Sequence, residues 1–194
     1  MSRQLILMCG PSGAGKTLIG KSIADRLSAT YLDKDVMCEG LVGSLLVEKG
    51  SHEHDRESEA YTGEVKHLEC EALLNNAYDS MLASNSATIC SAPFLSQVTD
   101  DEWASKLIDR SNILGFEIFA VWCHTDSNTS KERIIARNSP RDNWKLAYWE
   151  DYTASAQYNP PHSLLKFFTI DNTTNPKEPL ISQMERLLDL IKKH

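Results

Sequence analysis

The sequence predicts a single α/β domain built on a five-stranded parallel, doubly wound sheet, and three observations point there. Short apolar runs alternate with longer helical patterns along all 194 residues, the grammar of repeated strand–helix–strand units. Phe116 to Cys123 is almost wholly apolar, as a strand covered on both faces should be. A glycine-rich turn from Gly10 to Gly15 joins the first apolar run directly to the first helical pattern.

Taken in order, the first strand is expected at about Gln4–Cys9. The helix after the turn, about Lys16–Leu27, places Leu18, Ile19, Ile23, Ala24 and Leu27 on one face. A short strand, Ala29–Asp33, leads into a helix near Val36–Glu48. Gly50 to Glu59 is the most polar stretch and reads as a loop; its histidines His52 and His54, with His67 beyond, match no standard metal spacing. A long helical segment, about Glu59–Ala83, carries Tyr61, Val65, Leu68, Ala72 and Leu73 at three- and four-residue intervals. Then follow a strand at Ala87–Ser91, a helix near Asp101–Arg110 and the apolar strand Phe116–Cys123. A helix at about Ser130–Arg137, a turn at Asn138–Asp142 and a helix at about Trp144–Ala156 come next. Trp144, Tyr148, Trp149 and Tyr152 on the last of these read as core packing. A strand at Lys166–Ile170 and a helix at Pro176–Lys192 close the domain. In such a sheet ligands bind at the carboxyl ends of the strands.

The 20 basic and 27 acidic residues leave a formal charge of −7, which argues against a nucleic-acid backbone as the main partner. No apolar stretch approaches membrane-spanning length, and the apolar run after Met1 to Gln4 is too short for a signal peptide, so a cytoplasmic protein with no membrane partner is expected. Cys9, Cys38, Cys70, Cys90 and Cys123 are odd in number and scattered, and read as buried, reduced thiols.

The chemistry starts at Gly10-Pro11-Ser12-Gly13-Ala14-Gly15-Lys16-Thr17, a complete P-loop signature in the strand-to-helix setting it requires. Glycines let successive backbone N–H groups turn inward around phosphate oxygens, and the helix N-terminus adds about half a positive charge. Lys16 is expected to reach the β- and γ-phosphates and Thr17 to ligate Mg²⁺. A nucleoside triphosphate, taken as ATP, and Mg²⁺ are therefore the expected cofactors. Asp33-Lys34-Asp35 ends the second strand beside that loop. Phosphoryl transfer to an alcohol needs a carboxylate to orient the acceptor and ordered waters around the metal, and two aspartates one residue apart divide those tasks. Asp35 could equally cap the helix that follows.

These features resemble the small P-loop kinases of the shikimate and gluconate kinase type, within the nucleoside monophosphate and shikimate kinase fold, and also antibiotic phosphotransferases of that superfamily. The segments Ser91-Ala-Pro-Phe94 and Arg137-Asn-Ser-Pro-Arg-Asp-Asn-Trp-Lys145 are similar to those of bacterial kinase-like ATP-binding proteins. The resemblance implies that Asp33 supports Mg²⁺ through water and that Asp35 contacts, and can deprotonate, an acceptor hydroxyl. It implies one kinase domain over 1–194, with an acceptor-binding insert at about 36–84 and a lid at about 133–145. Lid arginines would close over the triphosphate; Arg137 and Arg141 are the expected contacts, ahead of Arg133, and Arg141 joins Lys16 in stabilising the moving charge. Asp171-Asn-Thr-Thr-Asn175 occupies the adenine position, with Asn172 as the expected contact, although it also suits a plain turn. Arg56 and Tyr61 are candidate acceptor contacts. Ser91 stands where many P-loop enzymes carry a metal-binding aspartate, which counts against an AAA-type motor.

The expected activity is transfer of the ATP γ-phosphoryl group to a hydroxyl of a small metabolite or antibiotic. A neutral or amphipathic alcohol is favoured, because only Arg56 and Lys66 in the insert could face an acidic one. A polynucleotide 5′-hydroxyl or nucleotide-sugar kinase is a second enzyme reading. A non-transferring ATP-binding regulatory module is the alternative from another class.

Overall fold

The protein, described over residues 3–193 in a computed structural model, forms one parallel sheet in the order β2-β3-β1-β4-β5. The strands are β1 (Arg3–Cys9), β2 (Thr30–Asp33), β3 (Thr88–Ser91), β4 (Phe116–His124) and β5 (Phe167–Asp171). Every adjacent pair is parallel, with Leu7 beside both Cys90 and Ala120 in the centre. Met1 lies outside the described residues, so the expectation about the chain's start is not addressed by the fold. No described helix is long and apolar enough to cross a membrane.

Helices cover both faces, which is why β1 is buried from Gln4 through Cys9. On one face α1 (Lys16–Leu27) and α9 (Leu180–Lys192) pack Ile19, Ile23, Leu187 and Ile191 onto Ile6, Met8 and Val121. On the other, α3 (Lys66–Ser84) and α5 (Asp101–Leu114) pack Leu73, Ala77, Met81 and Leu107 against Leu5, Leu7 and Trp122. Each fully buried aliphatic side chain contributes about 1.5–3 kcal/mol relative to exposure. All five cysteines are buried free thiols, four of them within these layers and Cys38 in α2 (Lys34–Glu48). A third, smaller cluster joins α2 to the insert through Val42, Leu46, Tyr61 and Val65.

Several expectations are corrected. Leu18 is 69% exposed, because the buried stripe of α1 follows Ile19, Ile23 and Ala24. The long segment opens with a π-helical turn, Tyr61–Val65, before α3 begins. Its buried face then steps by four from Tyr61 through Val65, Glu69, Leu73 and Ala77, which leaves Leu68 49% exposed and puts a glutamate inside. The helix after β3 runs on to Leu114, where Gly115 at φ 68° ends it, and a short helix, α4 (Leu95–Val98), precedes it. Helix α6 (Ser127–Arg137) starts earlier than expected because Asp126 caps it, accepting from the Thr129 amide. The helix expected over Trp144–Ala156 breaks at Tyr148 into α7 (Asn143–Ala147) and α8 (Trp149–Ser155), neither with a buried residue. Its aromatics therefore pair with one another and do not pack a core: Trp144 with Tyr148 at 5.5 Å, both exposed, and Trp149 with Tyr152 at 5.3 Å, both half-buried. The last helix starts at Leu180, after Pro179, because the residue before a proline is kept out of the α region.

Candidate active site

At the carboxyl end of the sheet the P-loop leaves β1 and enters α1. Lys16 Nζ donates to the Gly10 and Pro11 carbonyls, each at 2.8 Å. Ser130 Oγ donates to the Ser12 carbonyl at 2.9 Å, Arg133 Nη1 to Gly13 at 3.1 Å and Asn172 Nδ2 to Ala14 at 2.9 Å. Five consecutive carbonyls are thus held by side chains, while the loop offers its N–H groups to an anion. Gly15 has φ 87°, and a Cβ there would strike Asn172 Nδ2; a Cβ at Gly13, φ 74°, would lie 2.8 Å from the Ser130 carbonyl oxygen. Only glycine fits either position. Burial pushes the Lys16 ammonium down to about 8, with Cys123 and Asp35 opposing it, as expected of a cation waiting for an anionic partner.

A cleft of about 560 Å³ opens from this loop. Ser12, Gly13, Gly15, Lys16 and Thr17 line its nucleotide side. Gly10, Pro11 and Ala14 are buried beneath the loop and shape it from below. Asn172 is also buried, and its side-chain amide donates to the Ala14 carbonyl of the loop.

Asp33 and Asp35 both line the cleft. Asp33 Oδ2 accepts from Thr17 Oγ1 at 3.2 Å and from the Tyr31 hydroxyl at 2.9 Å. Its Oδ1 accepts from the Asp35 amide at 3.0 Å, so Asp33 is the cap of α2 and Asp35 is left free for other partners. Those partners are Arg141 at 2.7 Å on Oδ2 and Lys34 at 3.2 Å on Oδ1. Burial would raise the Asp35 carboxyl, but Lys34, Arg141 and Lys16 outweigh it and hold it below the usual carboxylate range. Ser91, the residue in place of an aspartate, ends β3 opposite Asp33 and also lines the cleft. The Thr17 hydroxyl and the Asp33 carboxylate are hard oxygen donors side by side, a set that would fit Mg²⁺ together with phosphate oxygens and waters.

The segment expected to form a lid divides its arginines. Arg133, ranked last from sequence, bonds the P-loop itself. Arg137 donates through Nε and Nη2 to Asp142 Oδ2 at 2.9 and 2.6 Å. Arg141 pairs with Asp35 at 2.7 Å, with Glu39 at 3.9 Å. Asp142 is fully buried and also accepts from Lys145 at 3.0 Å, so one carboxylate joins α6 to α7 and aims two cations at the cleft. Sequence reasoning missed Asp142, Lys145 and Ser130, since nothing local marks them. Tyr152 was assigned to the core, yet it lines the cleft next to Ser12, and burial pushes its hydroxyl up to about 12.

On the far wall Arg56 lies 5.2 Å from the centre of the Tyr61 ring and donates to the Glu53 carbonyl at 3.4 Å. Tyr61 lines the cleft while its hydroxyl donates to Glu69 Oε2 at 2.8 Å. Lys66 and Glu57 complete that wall.

Comparison with known proteins agrees with this architecture. The chain is similar over nearly its whole length to a sugar kinase from Janibacter sp. HTCC2649, at 16% identity, TM-score 0.58, and 99% and 95% coverage of the two chains. It is likewise similar to the APS kinase of Mycobacterium tuberculosis in complex with AMPPNP and APS, at 18% identity, TM-score 0.58, and 98% of each chain. At these identities the likeness is one of fold, that of the small P-loop kinases of the shikimate–gluconate type. A shikimate kinase from Corynebacterium diphtheriae shares 42% identity over 41 residues, 21% of this chain and 24% of that protein, so the match spans about a quarter of that relative. The profile of the AAA_33 family, described as an AAA domain, matches residues 5–158, from β1 past the lid and α8. By that match the chain belongs to the AAA_33 family of AAA domains.

Proposed function

We propose that the protein is an ATP-dependent phosphotransferase that moves the γ-phosphoryl group onto a hydroxyl of a small molecule. The observation that carries the reading is the meeting of Asp33 and Asp35 with the P-loop in one cleft, with Asp33 3.2 Å from the Thr17 hydroxyl.

Mg²⁺, when bound by Thr17 and through waters on Asp33, supplies charge neutralisation across the phosphates. Lys16, Arg133 and Arg137 bring positive charge to the same side, where fixed cations stabilise developing charge without reorganising. Asp35 accepts the hydrogen bond of the acceptor hydroxyl and orients it. Its carboxylate is held ionised, so it takes the proton late, which a loose, largely dissociative transfer tolerates. Closure of the lid would exclude water and favour transfer over hydrolysis.

The acceptor wall argues for a particular chemistry. Arg56 and Lys66 stand there against one carboxylate, Glu57, which favours an acceptor bearing a negative group over the neutral alcohol expected from sequence.

The test is a set of matched hydroxyl compounds, each acid paired with its neutral analogue, incubated with Mg·ATP and scored by mass spectrometry for phosphorylated product. Acceptor-dependent product, weaker for the neutral partner, is the expected result. In Arg56→Gln the acceptor KM should rise about tenfold with the KM for ATP unchanged. Tight ATP binding with no product from any hydroxyl would return the protein to the regulatory class.

A further inference from the structure

Lys34 lies between the two site aspartates, yet the transfer chemistry assigns it nothing. It is 5% exposed, a place where an ammonium is stable only when paired. Its Nζ is 2.9 Å from Glu69 Oε2 and 3.2 Å from Asp35 Oδ1. Glu69 is itself buried, and the same Oε2 accepts from the Tyr61 hydroxyl at 2.8 Å. Tyr61 opens the π-turn, a rare backbone form that recurs at functional sites. The end of β2, the inserted turn and α3 therefore meet at one carboxylate oxygen.

We propose that Lys34 is the positioning residue of the acceptor carboxylate: anchored by Glu69 and Tyr61, its ammonium fixes the Asp35 side chain at the cleft wall and ties it to the insert. The functional weight of this assignment rests on the phosphotransferase reading of Asp35; the geometry does not. A buried Lys–Glu pair that merely staples the fold would have no reason to bond a carboxylate of the cleft as well. Here Lys34 Nζ reaches Asp35 Oδ1 at 3.2 Å, and Lys34 and Asp35 both line the cleft. The two Asp35 oxygens also have separate holders, Oδ2 going to Arg141 of the lid and Oδ1 to Lys34 of the core. Lys34 is thus the cation that remains with Asp35 whichever group Arg141 contacts.

The test reads the Asp35 side chain directly, by three-bond NMR couplings that report its χ1 in the full chain without nucleotide or acceptor. Wild type and Lys34→Arg should each show a single rotamer. Lys34→Met should show averaging among rotamers. Removing one member of a buried pair can unfold a protein, so Lys34→Met/Glu69→Gln is the second variant; it deletes both charges and leaves an amide oxygen for the Tyr61 hydroxyl. A staple role would lower the stability of that double variant and leave Asp35 in one rotamer, and that result overturns the assignment. Loss of the single rotamer in the folded double variant supports it, with kcat for acceptor phosphorylation reduced and the KM for ATP unchanged. Because the couplings require no turnover, an ordered Asp35 in the double variant removes Lys34's role alone, whereas a failed phosphotransferase reading shows separately as absence of product.

Discussion

The two ends of the cleft are held by different means. At the nucleotide end the backbone itself is fixed: the carbonyls of five successive P-loop residues accept from Lys16, Ser130, Arg133 and Asn172. At the end read as the acceptor side, side chains hold one another, through Lys34 with Glu69 and Arg141 with Asp35. A cradle made of main chain recognises what every substrate triphosphate shares and tolerates little change. A wall made of charge pairs can be altered one residue at a time, which is how a single fold serves many acceptors.

That contrast is broken most decisively at Lys16. Lys16→Met should lower the single-turnover transfer rate about 10²–10³-fold, as loss of a preorganised cation does, and weaken nucleotide binding for any acceptor. A selective loss with one acceptor only would contradict the division. At the lid, Asp142→Ala leaves Arg137 and Lys145 without their buried partner and should cost about 3 kcal/mol. Hydrogen exchange should show the loss concentrated in α6 and α7, with β1 and α1 still protected. Gly15→Ala should cost about 2 kcal/mol from its left-handed backbone. Thermal unfolding should show that cost shrinking when Asn172→Ala is added, because the amide that the new Cβ meets is then gone.

The smallest effect is one of pH. Lys16 is held at about 8 in the free protein, below its unfolded value of about 10.4. Between those values the unfolded chain binds more protons, so this group makes the nucleotide-free protein more stable as pH rises from about 8. A phosphate needs the protonated form, so nucleotide affinity should be greatest below pH 8 and fall by at most tenfold per pH unit above it, as titration calorimetry would show. Flat affinity from pH 7 to 9 would mean that Lys16 is not the phosphate-reading cation.

The same contrast explains what could be read from the chain. Sheet, helix order and P-loop were legible because each is written locally, in alternating apolar runs and in eight contiguous residues ending at Thr17. Asp33 and Asp35 were legible because a strand end beside that loop is a fixed place in a parallel sheet. Lys34, Glu69 and Asp142 were not, since their meaning lies in partners that folding brings together: Glu69 is 35 residues from Lys34, and Tyr61 reaches it only because the π-turn shifts the helical face. The aromatics of α7 and α8, none of them in the core, misled for the opposite reason. Their three- and four-residue spacing is that of a core stripe, and only the break at Tyr148 shows that the segment lies on the surface.

The most direct measurement is ADP release from Mg·ATP with and without hydroxyl compounds, in wild type and in Asp35→Asn. The account predicts release that an acceptor stimulates in wild type, with stimulation reduced about 10²–10⁴-fold in Asp35→Asn and ATP affinity retained. Release that no hydroxyl stimulates and that Asp35→Asn leaves unchanged would contradict it.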